Sequence, residues 1–162
     1  MLEWLENTEF SAWTRGESLW GWPFALTVHA FGTAVVIGFT LIMSLRLFGF
    51  FETIPYSSLR RLFPAIWVAF VLQFLSGFTL WMTKPTRYVT DGAFVIKFSL
   101  VIIGIILTLY FFATMKREAG SWEAKGGVSS RGVKFAAAAV LVWCSVLVAG
   151  RLTAYLGSLY TG

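Results

Sequence analysis

The sequence predicts an all-α integral membrane protein. It forms one membrane domain over residues 1–162, a bundle of four transmembrane helices with a short N-terminal interfacial helix. Two observations predict this class. Hydrophobic residues make up 57% of the chain and charged residues only 13%, whereas a typical soluble domain has roughly 25% charged residues. Four apolar stretches also reach the length of about 20 residues that spans a bilayer. Lipid satisfies no backbone hydrogen bonds, so such stretches must be helical.

Residues 1–16 precede the first span and mix large apolar side chains with acidic ones. The apolar members are Leu2, Trp4, Leu5, Phe10 and Trp13, and the acidic members are Glu3, Glu6 and Glu9. Tryptophan and charge mixed over this length predict a short helix that lies on the outer leaflet. A frayed terminus is the alternative interpretation of the same residues.

The four spans are predicted at residues 23–45, 62–82, 92–115 and 135–156. Lys or Arg residues lie near their ends, as is typical where helices leave the apolar layer of a membrane. Between the third and fourth spans, residues 119–131 include Gly126, Gly127, Ser129 and Ser130. This composition predicts a flexible loop over that whole stretch.

The distribution of Lys and Arg predicts the orientation of the bundle. Eight of these residues lie in the loops that join span one to span two and span three to span four, and three lie on the opposite side. The eight are Arg46, Arg60, Arg61, Lys116, Arg117, Lys125, Arg131 and Lys134, and the three are Arg15, Lys84 and Arg87. We therefore expect both loops in the bacterial cytoplasm, both termini in the periplasm and the bundle in the cytoplasmic membrane. The basic residues form no stripe, so no nucleic-acid partner is expected.

Three spans each place one basic residue at a similar depth below the predicted outer boundary. A helix rises 1.5 Å per residue, so His29 lies roughly 9 Å below residue 23, and Lys97 lies roughly 8 Å below residue 92. Arg151 lies roughly 8 Å before the outer end of span four. Ionisable groups inside a membrane are costly and are usually functional. The three residues are therefore predicted to line one site near the periplasmic face.

Each of these residues also has a simpler interpretation. Lys97 and Arg151 have side chains long enough to extend to the outer interface, and His29 could bond a neighbouring backbone carbonyl. On span one, the small residues Ala25, Gly32 and Thr33 share the helix face of His29. On span two, the polar residue Gln73, the small residue Gly77 and the aromatic residue Trp81 could face the site. Small residues at such positions either make room for a flat ligand or simply let helices pack closely.

The predicted site contains three potential cations, and no carboxylate lies within a span. Proton and cation pathways usually use an intramembrane Asp or Glu, so transport of that kind is disfavoured. A basic pocket favours a ligand with an apolar body and anionic or carbonyl groups, a description that fits both haem and quinone. Haem adds a role for histidine as an iron ligand, while Lys and Arg pair with propionates. The single histidine excludes a zinc site of several imidazoles, and the single cysteine, Cys144, excludes an internal disulfide.

Two segments resemble a known family. The run from His29–Ala30–Phe31–Gly32 to Leu45–Arg46–Leu47–Phe48 resembles the first helix of the membrane-bound haem-containing protoporphyrinogen oxidases. The run Phe94–Val95–Ile96–Lys97–Phe98–Ser99–Leu100–Val101 is similar to the helix of that family that carries an essential lysine. Copper-resistance membrane proteins of the D type share this general pattern. The resemblance implies that His29 is an axial haem ligand and that Lys97 is functionally necessary.

The last helix carries a further resemblance. With Gly150–Arg151 and Ala154–Tyr155 in span four, the overall plan looks closest to a family of small, uncharacterised bacterial four-helix membrane proteins. Shared architecture does not by itself carry shared chemistry.

The leading hypothesis is a haem b-binding membrane protein with an electron-transfer or oxidoreductase role near the periplasmic face. His29 is expected to ligate the iron, and Lys97 and Arg151 are expected to hold propionates or substrate anions. One alternative is a non-enzymatic subunit or scaffold of a larger membrane complex. Another is a quinone-binding protein without haem, in which His29 donates a hydrogen bond to a quinone carbonyl. Burying three basic groups with four helices favours a homo-oligomer or a subunit of a complex.

Overall fold

The computed structural model describes residues 2–159, with all side chains in that range except those of Glu17 and residues 154–159. The described residues form helices and turns and contain no β-strand. The helices are α1 (Leu2–Glu6), α2 (Glu9–Ala12) with a π-helical turn (Trp13–Glu17), α3 (Gly21–Leu47), α4 (Tyr56–Leu59) with a 3₁₀ turn (Arg60–Leu62), α5 (Phe63–Met82), α6 (Pro85–Thr90), α7 (Gly92–Lys125) and α8 (Ser130–Leu159). The predicted all-helical class is confirmed.

Four helical segments are long and apolar enough to cross a membrane: α3, α4 continued into α5, α7, and α8. This confirms the prediction of four candidate spans. Their ends follow from local chemistry. Asp91 caps α7 by accepting a 2.9 Å hydrogen bond from the backbone N–H of Ala93, and Gly126 ends it with a left-handed backbone (φ 64°), the conformation that favours glycine at a helix C-terminus.

The helices pack as neighbours in the order α5, α3, α8, α7. Most of the apolar core lies at the end of the bundle where α3 ends and α4 and α8 begin, and α7 passes through it. Its buried members are Met43, Leu47, Tyr56, Leu59, Ile66, Phe111, Phe112, Met115, Ala119, Trp122 and Ala136. A smaller cluster near the middle of the bundle consists of Val36, Ala69, Trp143 and Val146. The ends of α3 and α5 that carry His29 and Ser76 lie beyond both clusters.

The predicted loop over residues 119–131 is wrong for most of its length. Helix α7 continues to Lys125 and α8 begins at Ser130, so the connection is only four residues long. The physical reason is burial: Ala119 and Trp122 are each 2% exposed and extend the buried face of α7. They follow Met115 at helical spacing, and this burial holds the segment helical despite its polar and glycine residues.

Arg46 is buried at the end of α3 and forms hydrogen bonds with the loop between α3 and α4. Its Nε donates to the carbonyl of Ile54 at 2.7 Å, and its two terminal nitrogens donate to the Glu52 carbonyl at 3.2 Å and the Tyr56 hydroxyl at 3.0 Å. The guanidinium carbon also lies 4.0 Å from the centroid of the Tyr56 ring. Arg46 therefore acts inside the fold, in addition to contributing to the charge of the loop that follows.

The N-terminal segment packs across the end of α5 and the beginning of α6. Ser11 donates to the carbonyl of Met82 at 3.0 Å, and Thr86 donates to a carboxylate oxygen of Glu6 at 2.7 Å. Arg15 forms an ion pair with the same carboxylate, with 3.4 Å between nitrogen and oxygen. These short polar contacts connect the segment to the bundle. Its place at a membrane surface, like the orientation of the whole chain, stays a prediction.

Candidate functional site

The imidazole of His29 lies between α3 and α5 and contacts polar side chains of α5 through both ring nitrogens. Nδ1 lies 3.2 Å from the hydroxyl oxygen of Ser76, which is only 6% exposed. Nε2 lies 3.1 Å from the amide nitrogen of Gln73. Ser76 and Gln73 are three residues apart and therefore lie on one face of α5. One face of α5 thus holds both edges of the imidazole ring.

These contacts assign the proton on the ring. An amide NH₂ group can only donate, so Nε2 of His29 accepts the hydrogen bond from Gln73, and the proton of the neutral ring is on Nδ1. The Nδ1–H then donates to Ser76, whose own hydroxyl donates to the carbonyl of Leu72 at 2.6 Å. Donors and acceptors alternate along this series of hydrogen bonds, from Gln73 through His29 to Ser76 and Leu72. The series is consistent with one tautomer and one orientation of His29.

Two glycines create the space that these side chains occupy. A methyl group at Gly77 would place its carbon 3.0 Å from Cε1 of His29, and one at Gly32 would place its carbon 2.7 Å from Oε1 of Gln73. The first distance is tight and the second is shorter than any ordinary contact. Glycine at position 77 therefore admits the imidazole beside α5, and glycine at position 32 admits the Gln73 amide beside α3.

Gln73 connects the site to a second residue of α3. Its amide nitrogen also donates to the hydroxyl of Thr33 at 2.7 Å, and that hydroxyl donates to the carbonyl of His29 at 2.8 Å. Its oxygen Oε1 is buried and has no hydrogen-bond partner among the described residues. A buried amide oxygen without a partner is unfavourable. The Gln73 side chain is therefore held by its nitrogen alone.

Lys97 is partly buried on α7, and its side chain lies against α8. A carbon at the Cβ position of Gly150 would lie 3.5 Å from Cε and 3.7 Å from Nζ of Lys97, so the absence of a side chain at Gly150 gives the lysine its place. Among the side chains that the structure describes, Nζ has no hydrogen-bond or ion-pair partner. The structure thus places Lys97 against α8, whereas His29 lies between α3 and α5.

Arg151 lies on another face of α8. Its exposed side chain lines a shallow apolar concavity with Leu147, Val148 and Leu152. It makes no hydrogen bond or ion pair with any residue that the structure describes. Because residue 150 faces Lys97, the next residue along the helix is turned by about 100° from that contact. The predicted membrane depth of Arg151 matches that of His29 and Lys97, but the side chain of Arg151 leaves α8 in a different direction from the face that contacts Lys97.

Sequence reasoning named Gln73, Gly77, Gly32 and Thr33 as neighbours of the site, and it missed Ser76. A serine inside a membrane helix ordinarily bonds its own backbone four residues earlier, as Ser76 also does with Leu72, and so gives no signal of its own. The usable signal was spacing. Ser76 lies three residues after Gln73 and precedes Gly77 directly, which places all three on the face that meets His29.

With Nδ1 directed at Ser76, Nε2 is the nitrogen through which His29 would hold a metal ion or a haem iron. A metal-ligating histidine usually donates its second N–H to a hydroxyl or carbonyl, which fixes the tautomer, and Ser76 accepts this bond here. The lone pair of Nε2 is then the ligating position, now covered by the Gln73 amide. No group of three or more His, Cys, Asp or Glu side chains converges among the described residues.

Comparisons of the chain with protein-family models, with curated proteins and with solved structures find no match. The resemblance to the haem-containing oxidases therefore depends on the two sequence runs described above.

Proposed function

We propose that this chain is an integral membrane protein that binds haem b through His29 and has an electron-transfer or oxidoreductase role. The observation that carries the proposal is the pair of contacts of the His29 ring: Nδ1 lies 3.2 Å from the Ser76 hydroxyl oxygen and Nε2 lies 3.1 Å from the Gln73 amide nitrogen. With its proton on Nδ1, the ring presents a lone pair at Nε2. When bound, haem b supplies reversible one-electron chemistry. The protein's part is to present the ligand nitrogen, exclude water and balance charge.

Lys97 supplies the second element of the proposal. An ammonium group within a candidate span, without an ion pair in the described structure, is costly unless it meets an anion. Lys97 is therefore proposed to pair with a propionate or with an anionic substrate. We assign Arg151 the same kind of partner on another face of α8, where its exposed guanidinium reaches ligands along the outside of the helix. Both residues lie in spans whose outer ends we place toward the periplasm of a bacterial cell.

A second candidate function is quinone binding without haem. The observation that favours it is the Gln73 amide, which already occupies the hydrogen-bonding position of Nε2. The sequence-based prediction made His29 the donor to a quinone carbonyl, but with Nδ1–H directed at Ser76 the ring has no free N–H. Lys97 is therefore proposed as the donor in its place, since Nζ has no hydrogen-bond partner among the described residues. The two candidates share the same residues but differ in what co-purifies with the chain.

The experiment measures haem and quinone in protein purified from its own membrane in mild detergent. It compares the wild type with His29→Ala and with Thr79→Ala, a change in α5 that removes only a local bond from Thr79 to the Leu75 carbonyl. The proposal predicts haem near one per chain in wild type and Thr79→Ala, and its loss in His29→Ala. Quinone without haem would replace the first candidate with the second. Neither ligand in a stable preparation would overturn both and favour a scaffold subunit, and a partner recovered in fixed proportion would support that reading.

A further inference from the structure

The side chain of Gln73 lies directly against Nε2 of His29. Its amide nitrogen lies on the lone-pair side of Nε2 at 3.1 Å and simultaneously binds Thr33 at 2.7 Å. A ligand that binds His29 through Nε2 must approach the ring from the side that the Gln73 amide now covers. Ligand binding at His29 and the present conformation of Gln73 therefore exclude each other.

The Gln73 amide fits in a notch beside α3 because residue 32 is glycine. Its oxygen lies 2.7 Å from the position that a Cβ atom at residue 32 would take, which is too close for any other residue there. The same oxygen is buried and has no hydrogen-bond partner in the described part of the chain. The conformation thus contains one strong restraint, the two bonds of the amide nitrogen, and one unfavourable feature, the unpaired oxygen. Release of the unpaired oxygen from this position therefore offsets part of the cost of breaking the two bonds of the amide nitrogen.

We propose that Gln73 is a positioning residue that sets the Nδ1–H tautomer of His29 and covers Nε2 until a ligand displaces it. Because the amide donates to Nε2, the ring proton stays on Nδ1, and the ring is kept in the form in which Nε2 can bind iron or accept a donor. The arriving ligand replaces the amide on Nε2, and the Gln73 oxygen leaves its unpaired position beside Gly32. The inference rests on the proposed function in one respect, that His29 binds its ligand through Nε2.

The first test reads the tautomer directly in the ligand-free chain. His29 is the only histidine, so ¹⁵N-histidine labelling gives one pair of imidazole nitrogen signals in detergent-solubilised protein. We expect a protonated Nδ1 and an unprotonated Nε2 in the wild type. In Gln73→Leu the donor to Nε2 is removed and only the Ser76 contact remains, so we expect part of the protein to carry the ring proton on Nε2. A wild-type spectrum with the proton on Nε2 would overturn the proposal.

The second test measures access to Nε2 with diethyl pyrocarbonate, which modifies unprotonated imidazole nitrogens, followed by mass spectrometry of the peptide that contains His29. Gln73→Leu removes the covering amide, and Gly32→Ala expels it from the notch. Both variants should react roughly three- to tenfold faster than the wild type, the range expected for loss of one interhelical hydrogen bond. Gly38→Ala is the matched control, since a Cβ on the same helix there meets nothing within 4 Å.

If Gly32→Ala disturbs the packing of α3 on α5, Gln73→Leu still tests the inference, because it leaves Gly32 unchanged. Equal rates in wild type and folded Gln73→Leu would overturn the proposal, and so would an equal acceleration in Gly38→Ala. Both tests use protein without ligand. A chain that carries no haem and no quinone contradicts the proposed function but leaves the tautomer and the reaction rates as predicted here.

Discussion

The amide nitrogen of Gln73 lies 3.1 Å from Nε2 of His29, so a side chain of α5 donates directly to the only histidine of the chain, on α3. The same ring donates to Ser76 on its other edge. Hydrogen bonds between membrane helices contribute about 0.6 kcal/mol on average and at most about 2 kcal/mol. Such energies are modest for holding two helices together. Two bonds to one ring are better explained as a device that fixes its orientation and tautomer.

Lys97 is expected to lower the stability of the bundle while supporting ligand binding. Replacing an unpaired intramembrane ammonium by an apolar side chain of similar length removes a desolvation cost. Lys97→Met should therefore unfold at an equal or higher denaturant concentration than the wild type, and its ligand content should fall severalfold. The measurement is unfolding in detergent, together with haem and quinone quantification. Lys84→Met, at an exposed position outside the long helices, is the control, and an equal loss of ligand in both variants would contradict the assignment.

Gly104 is expected to be required for the packing of Trp143. A Cβ at position 104 would lie 3.2 Å from two carbons of the indole, and the ring is held because its Nε1 donates to Thr108 at 3.1 Å. Overpacking a fixed ring costs about 1–3 kcal/mol, which outweighs the roughly 0.5–1 kcal/mol that Gly→Ala gains in a helix. Gly104→Ala should destabilise the protein in thermal unfolding. Gly120→Ala on the same helix, with nothing within 4 Å, should be neutral or stabilising.

Arg46 is expected to be more important for stability than the exposed arginines of the same loop. Three of its donors are satisfied by Glu52, Ile54 and Tyr56, and a lysine cannot reproduce that planar arrangement. Arg46→Lys should cost about 2–4 kcal/mol, since several bonds to a charged group are lost together. Tyr56→Phe, which removes one acceptor and keeps the ring, should cost about 1 kcal/mol. The free energy of unfolding measures both, and an equal cost for exposed Arg61→Lys would contradict this role.

The predicted orientation can be tested by labelling single cysteines. In a Cys144→Ser background, Glu9→Cys introduces a thiol in the N-terminal segment, and Lys125→Cys introduces one at the end of α7; both native side chains are exposed. The eight-to-three distribution of basic residues predicts that a membrane-impermeant reagent labels Glu9→Cys in intact spheroplasts. Lys125→Cys should react only after lysis. The reverse pattern would show that the chain is inverted.

Hydropathy was sufficient to predict the four long helices, because each is a continuous apolar run. It failed at residues 119–125, where polar residues and Gly120 concealed the buried face formed by Ala119 and Trp122. His29 is conspicuous in the sequence as the only histidine, and its grouping with Lys97 and Arg151 in one site stays a prediction. Depth does not give direction around a helix, however, and Arg151 shares the depth but lies on another face of α8.

His29 is proposed to bind a haem iron, and an absorption spectrum of the purified protein shows whether haem is bound. The full chain is purified in mild detergent from its native membrane, and its spectrum is recorded in oxidised form and again after reduction with dithionite. We expect a Soret band that shifts on reduction and corresponds to about one haem per chain. The band should be absent in His29→Ala prepared in the same way. A featureless spectrum from folded wild-type protein, or an undiminished Soret band in folded His29→Ala, would contradict it.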